Sequence, residues 1–368
     1  MVCLNVSIIK PLVKDSNKST DDINNLRGIA VSDVISNLYE SVLDGIVRSY
    51  AVTDDKQFGF KANNSCAHAI LVLKQILNLA KHFKMRLYIS AIDAAKAFDK
   101  VNRDILWNRL IEMQVPLIYV IAIKEYYSKS VMMMELEGDF SKMFKTTLGV
   151  RQSGVLSPLF FCIYIDNLLK SLQEMELGVK IGKMCIDVLA YADDILIITH
   201  TRINMQLMLN RLSELGEELE IKFNPNKSVY MVFNSIAYQT KNERREDSWN
   251  GTLLLAGKKI EEVNTFKYLG AEIENNNNKH HIKKRKSAVI GAVVKLIASG
   301  ISSENMHPIP QAEMFKTHVR PILFYSLESM HLSLNDMIQI KRIEVNALKR
   351  LLGLNTSCKS TDLFLSFE

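Results

Sequence analysis

Several things are missing from this chain, and each omission closes off a class of protein. Its five cysteines, Cys3, Cys66, Cys162, Cys185 and Cys358, form an odd set with no CxxC pair and no Cys/His spacing that would chelate zinc. That argues against a disulfide framework or a zinc module and for a reduced, intracellular compartment. No apolar run approaches the ~20 residues a membrane helix requires, and the opening MVCLNVSIIK lacks the layout of a secretory signal peptide. No membrane partner is therefore expected. Internal repeats are also absent, and the one compositional oddity, Asn275 to Asn278, reads as a loop.

What is present is a globular composition. The 368 residues suffice for two or three compact units. A formal charge of +6 is compatible with a nucleic-acid partner without demonstrating one.

The sharpest local feature is Val188 to Thr199, VLAYADDILIIT, in which two β-branched apolar runs flank Asp193 and Asp194. Such a pattern favours a hairpin with its charge at the turn. Neither acid has a basic neighbour in sequence. Like charges ~4 Å apart repel by roughly 4 kcal/mol at an effective dielectric of 20, against a net domain stability of only about 5–15 kcal/mol. The pair is thus either a solvated acidic turn or is neutralised by something positive, a divalent cation with oxygen ligands being the usual choice.

A second carboxylate ends an apolar strand in MRLYISAIDAAKAFDKV, where Asp93 is followed by a tight turn carrying Phe98 and Asp99. Asp93 could equally be a strand stop, Phe98 core and Asp99 a helix cap. Before it, Ile35, Leu38, Tyr39 and Val42 mark a helix capped by Ser32 or Asp33. Ala69, Val72, Leu73, Ile76 and Leu77 mark a second. After it, the residues around Gly138 and Asp139 suggest a β-hairpin. A Gly-bracketed turn with Arg151 and Gln152 leads to Ser157-Pro158, read as N-cap and first helical residue.

Further on, Ile203, Leu207, Leu212, Leu215 and Leu219 form a helical stripe expected in the core, and FNPNKSVYMVF a turn and strand with Lys227 at the start. KNERRED reads as a solvated loop, and LLLAGKKI and TFKYLGAEI as a strand pair. From Lys279 onward the pattern is helical, with Lys283, Lys284, Arg285 and Lys286 offering either a phosphate-contacting face or a solvated charge run.

If a sheet sets the strands ending at Asp93 and Asp193 side by side, their carboxylates converge. Two cations ~3.5–4 Å apart can activate a hydroxyl and stabilise a leaving oxygen in phosphoryl transfer. With basic residues for a triphosphate and a basic helical unit for a duplex, the residues point to a nucleotidyl transferase acting on a template.

The ordered series QFGFK, AIDAAKAFDKV, GVRQSGVLSPLFF, YADD, NPNKS and KYLG resembles the successive motifs of a reverse transcriptase, and more narrowly the enzyme of non-long-terminal-repeat, LINE-like retrotransposons. The likeness runs over roughly residues 7 to 353. It implies an α/β (α+β) right-hand polymerase: fingers over 1–84, a palm of antiparallel sheet plus helices over 85–275 with finger-side insertions near 131–150, a helical thumb and following region over 276–353, and a tail over 354–368 read as disordered or as a truncation scar.

Carried over residue by residue, the resemblance makes Asp93 and Asp193 ligands of two Mg2+ ions, with Mn2+ as a substitute, and gives Asp194 a lesser ligand role. Phe98 becomes the aromatic that blocks a ribose 2′-hydroxyl, and Gln152 and Tyr191 line the nucleotide pocket. Arg27, with Lys14 as companion, grips the triphosphate, and Lys227 protonates pyrophosphate. Phe266, Lys267, Tyr268, Leu269 and Gly270 form the primer grip, and Lys283 to Lys286 belong to the thumb. The implied partners are an RNA template, a DNA primer and deoxynucleoside triphosphates, and the implied residence is nuclear. Ser153 in place of a common Gly, LRG around Arg27 and NNSC near Lys61 depart from the usual pattern, and no endonuclease precedes the polymerase motifs. A catalytically inactive nucleic-acid-binding remnant is therefore an alternative, and a palm-type nucleotide cyclase a more remote one.

Overall fold

The computed structural model describes residues 6–14, 19, 22, 25–182, 184–234, 251–275, 277–302, 304–355 and 357–359. The loop expected at KNERRED and the last nine residues of the tail lie outside them. In chain order the elements that matter here are β1 (Val6–Val13), β2 (Leu26–Ser32), α1 (Val34–Tyr50), α2 (Cys66–His82), β3 (Leu87–Asp93), α3 (Arg103–Glu112), α4 (Leu117–Ser128), β4 (Val131–Leu136), β5 (Asp139–Phe140), α5 (Ser157–Gln173), β6 (Val179–Ile181), β7 (Met184–Ile186), β8 (Val188–Tyr191), β9 (Asp194–Thr199) and α6 (Arg202–Glu218). They are followed by β10 (Val229–Phe233), β11 (Leu254–Leu255), β12 (Lys258–Lys259), β13 (Glu261–Glu262), β14 (Thr265–Tyr268), β15 (Ala271–Glu274) and α7 (Lys279–Ala298).

Two compact units emerge. The first gathers the described residues of stretches 1–65, 87–230 and 239–262, the second those of 66–86, 231–238 and 263–368. At the heart of the first lies a five-stranded sheet ordered β13-β10-β3-β9-β8. Strands β3 and β9 and the edge strand β8 are apolar runs because both faces are covered: Leu87, Ile89, Ile92, Val188, Leu189 and Ile195 to Ile198 are all buried. Helix α5 adds to that cover, since Phe160, Phe161, Ile163, Tyr164, Ile165 and Leu168 are buried, while Asn167 and Lys170 are exposed. Each such side chain contributes about 1.5–3 kcal/mol. A second sheet, ordered β2-β1-β4-β5, pairs β1 antiparallel with β2 and parallel with β4.

Several local expectations need correction. Helix α1 forms and Asp33 caps it, accepting from the Ser36 N–H at 2.8 Å, but the apolar stripe Ile35, Leu38, Tyr39 and Val42 faces outward while Ser36, Glu40, Leu43 and Val47 are buried. The reason is an ion pair: buried Glu40 binds Arg151 and so fixes which side of the helix is inside. Ser157 is the first residue of α5 rather than its cap, because its hydroxyl is spent on the Arg151 carbonyl at 2.5 Å. Along α6 the core face runs through Met205, Met208, Leu209, Leu212 and Leu215, leaving Leu207 exposed. LLLAGKKI and TFKYLGAEI do not pair with each other; each closes on itself, as β11–β12 and β14–β15.

The second unit combines α2, the β14–β15 hairpin and the C-terminal helices α7, α8 (Pro308–Met314), α9 (Arg320–Phe324) and α10 (Leu334–Leu351). A π-helical turn at Phe315–Val319 joins α8 to α9. Ser333 and Asp336 form a reciprocal capping box at the start of α10. Among the described residues, no helix is long and apolar enough to cross a membrane.

Candidate active site

Register brings the acids together. Strand β3 runs antiparallel to β9 with Asp93 directly opposite Asp194, and β8 and β9 are joined by the two-residue loop Ala192-Asp193. Cross-strand partners in such a ladder carry their side chains on the same face. The loop is tight: Ala192 has φ of 54°, where a II′-type hairpin prefers glycine.

A turn from elsewhere in the chain fixes the end of β3. The Asp93 N–H donates to Ser228 Oγ at 3.1 Å, and the Asn224 N–H donates to the Asp93 carbonyl at 2.8 Å. The Lys227 and Ser228 N–H groups both return to the Asn224 carbonyl. NPNKS is thus wound into a turn that sets Lys227 Nζ 3.9 Å from Asp93 Oδ2. Both side chains are well exposed, so the pair adds little stability.

Burial is the main cause pushing the Asp193 carboxyl above the usual carboxylate range; the Asp93 charge pushes it further, and Arg27 opposes. Arg27 therefore stands within electrostatic reach of the loop. Lys14 lies near the same end of the β1–β2 ribbon, since Arg27 pairs with Leu12 and the Lys14 N–H donates to the Asn25 carbonyl at 2.7 Å.

Beyond Asp93 the chain makes a short 3-10 turn, Ala97–Lys100. Phe98 is half-buried and stacks on Phe161 with ring centroids 4.5 Å apart. The Gly149–Gly154 turn is zipped to this segment. Val150 N–H donates to the Phe98 carbonyl, Gly149 N–H to that of Val101, each at 2.9 Å, and Gln152 Nε2 to Asp99 Oδ1 at 2.6 Å. Gly149 has φ of +79°, and a Cβ there would stand 2.8 Å from the Asp99 carbonyl oxygen. Phe98 and Gln152 are thereby held side by side. The cap of α3 is Asn102 and not Asp99. Tyr191 is half-buried, its ring 6.1 Å from that of Phe60.

Arg151 is a structural hub and not merely a turn residue. It is buried, pairs with Glu40 at 3.0 Å, donates to Ser32 Oγ at 2.6 Å, and also bonds the Ser7 and Tyr126 hydroxyls. Tyr126 donates to Glu40 in turn, and burial followed by the Glu40 charge pushes its hydroxyl up to about 12. No short-range spacing announces such a cluster. Gln57, the first residue of QFGFK, is likewise unmarked by any local spacing; its side-chain carbonyl accepts from the Gly59 and Ala192 N–H groups at 2.8 and 2.9 Å.

The remaining candidate residues belong to the second unit. Leu269 and Gly270 form the β14–β15 loop with φ of 46° and 82°, as a I′-type loop requires. Phe266 and Tyr268 of the expected primer grip are buried, and Lys267 between them is exposed. Tyr325 Oη donates to the Leu269 carbonyl at 2.8 Å, Arg285 donates to that of Gly270 at 3.2 Å, and Lys284 pairs with Glu272. Arg285 is thus tied to the hairpin, whereas Lys283 and Lys286 are exposed.

Among the described residues, no group of three or more His, Cys, Asp or Glu is arranged to hold a metal ion. The three aspartates are therefore not a ready-made cage, which fits like charges that repel and an exposed Asp194. The donor set nevertheless suits Mg2+, which binds through one or two carboxylates together with substrate phosphates and water.

The chain is similar to known proteins in sequence and in fold. Residues 14–273 match the family model described as reverse transcriptase (RNA-dependent DNA polymerase). The chain is 28% identical over 202 residues to the retrovirus-related Pol polyprotein from type-2 retrotransposable element R2DM of Drosophila melanogaster, covering 55% of this chain and 19% of that protein. It is 24% identical over 298 residues to the Pol polyprotein from type-1 retrotransposable element R2 of Popillia japonica, covering 78% of this chain and 46% of that one. The chain thus spans less than half the length of either relative. Among solved structures, telomerase from Candida tropicalis in complex with a TWJ fragment of telomeric RNA aligns with a TM-score of 0.53 at 13% identity, covering 96% of this chain and 60% of that one. Apo telomerase from the same organism, truncated from its C-terminal domain, gives 0.50 at 15%, covering 74% and 54%. The fold is that of the right-hand polymerases, and with 260 of its residues on the family model the chain belongs to the reverse transcriptase family.

Proposed function

We propose that this chain is the polymerase region of a non-long-terminal-repeat retrotransposon and extends a DNA primer on an RNA template from deoxynucleoside triphosphates. The observation that carries the reading is the register of β3 on β9, which sets Asp93 against the Ala192-Asp193-Asp194 turn. Asp93 and Asp193 would hold the divalent ions, with Asp194 in a lesser role. Such ions, when bound, favour ionisation of a primer hydroxyl and neutralise charge on the leaving oxygen.

The chain's own residues supply the rest. Arg27, with Lys14 beside it, offers positive charge for the triphosphate. Phe98, braced on Phe161, is the wall that excludes a 2′-hydroxyl, and Gln152 and Tyr191 line the nucleotide's pocket. Lys227 is an ammonium close enough to Asp93 to deliver a proton to departing pyrophosphate. In the second unit, Lys267 with the Leu269-Gly270 backbone would meet the primer, and Lys283 and Lys286 the duplex phosphates. We assign fingers to 1–84, palm to 85–275 and thumb to 276–353, and expect nuclear residence.

Metal-dependent primer extension on an RNA template tests this. The wild type is expected to extend the primer, Asp93→Ala and Asp193→Ala to abolish extension, and Phe98→Val to admit ribonucleotides. Salt-sensitive primer-template binding without synthesis would instead identify a nucleic-acid-binding remnant.

A further inference from the structure

We propose that Gln57 is a positioning residue for the carboxylate hairpin, holding the Ala192-Asp193 turn at the height at which Asp193 faces Asp93. The inference rests on the polymerase reading for its kinetic consequence, but its structural content stands alone. The segment beginning at Lys56 lies along β8, the edge strand of the five-stranded sheet. Ala190 N–H donates to the Lys56 carbonyl at 2.9 Å and Phe58 N–H donates to the Ala190 carbonyl at 2.8 Å, a parallel bridge centred on Gln57 and Ala190.

From this anchored backbone the fully buried Gln57 side chain reaches the turn, where Oε1 accepts from Gly59 and Ala192. Ala192 is itself buried and held in a left-handed conformation. Without Gln57, its N–H would be an orphaned donor in a conformation that a non-glycine residue adopts only under constraint.

Two further observations show that the approach is built for this contact. A Cβ on Gly59 would stand 2.6 Å from the Ala192 nitrogen and 3.1 Å from the Tyr191 carbonyl carbon, so only glycine lets the segment come this close. Gln57 Nε2 is buried without a hydrogen-bond partner among the described residues. The amide is thus committed to its acceptor face, since flipping it would set an NH2 group against two N–H donors. A neutral acceptor also suits the place, because a carboxylate would add negative charge beside Asp193.

The discriminating experiment compares Gln57→Met, similar in length but without an acceptor, with Gln57→Glu, which keeps one, in the full chain. Residue-resolved hydrogen–deuterium exchange at Ala192 is read alongside primer-extension kinetics. Gln57→Met should accelerate Ala192 exchange and lower kcat by about 10- to 100-fold, with KM for the nucleotide changed less than about twofold. Gln57→Glu should keep Ala192 protected. Unchanged exchange at Ala192 in Gln57→Met, equal loss of protection in Gln57→Glu, or faster exchange with wild-type kcat would each overturn the proposal. A wild type that extends no primer would sink the polymerase reading instead, leaving the exchange comparison to decide whether Gln57 holds the turn.

Discussion

Two of the tight hairpins among the described residues differ in the polarity of what grips them. In the Val188–Thr199 hairpin the loop's N–H group is held from outside, by the Gln57 carbonyl. In the Thr265–Glu274 hairpin the loop's carbonyls are held, by the Tyr325 hydroxyl and the Arg285 guanidinium. The second hairpin consumes positive charge in its own support, with Lys284 on Glu272 as well. The first is braced by a neutral amide, and the charge that opposes Asp193 comes from Arg27. One supersecondary unit thus serves as a presenter of charge or as a structural corner, according to the sign of its clamp.

The largest test of that contrast replaces the presented charge. Asp193→Asn should lower primer extension by roughly 10³-fold, since metal-held charge is worth several kcal/mol and each 1.4 kcal/mol is tenfold. Asp194→Asn, at an exposed position, should cost roughly tenfold; equal losses would end the distinction between them.

Next comes a pH effect where the second hairpin meets α7. His281 is buried, Nδ1 accepts from the Glu272 N–H at 3.2 Å, and Nε2 faces the Tyr325 carbonyl at 3.1 Å. Burial above all, with Arg285 and Lys74 adding to it, pushes its pKa down from 6.5 to about 4. A depressed pKa contributes stability that is present above the unfolded value and lost as pH falls through the folded one. Thermal unfolding should therefore show a loss on the order of 3 kcal/mol between pH 6.5 and 4. His281→Gln should flatten that window, and parallel curves for the two proteins would refute the assignment.

Smaller still is Gly270→Ala, which forces a side chain to φ of +82° with its Cβ 2.9 Å from Tyr325 Cε1. Denaturant titration should register a loss of about 1–2 kcal/mol. Last, Tyr325→Phe removes one bond to the Leu269 carbonyl at a partly exposed site. It should cost about 0.5–1 kcal/mol, and a larger drop would mean that the hydroxyl supports more than this loop.

The legible parts of the sequence were those where chemistry and period coincide. Asp93, Asp193 and Asp194 interrupt apolar runs, and an acid that interrupts a strand cannot hide. Asn-Pro-Asn-Lys-Ser announced its turn by composition. What stayed unread depends on partners distant in sequence. The stripe of α1 has helical period, but period does not say which face is inward, and buried Glu40 decided that through a residue 111 positions away. Ser157 looks like a cap until Arg151 takes its hydroxyl. Gln57 has neither charge nor periodicity, and its role exists only once β8 lies beside it.

Arg151 also has a consequence in time. Its partners Ser7, Ser32, Glu40 and Tyr126 lie 144, 119, 111 and 25 residues earlier in the chain. During synthesis at about 5–20 residues per second, Glu40 leaves the ribosome roughly 5–20 s before the cation that neutralises it. Until then, burying that face of α1 would strand a carboxylate in an apolar interior. Ser7 of β1 and Ser32 of β2 likewise acquire their Arg151 partner only once the turn that carries it has been synthesised.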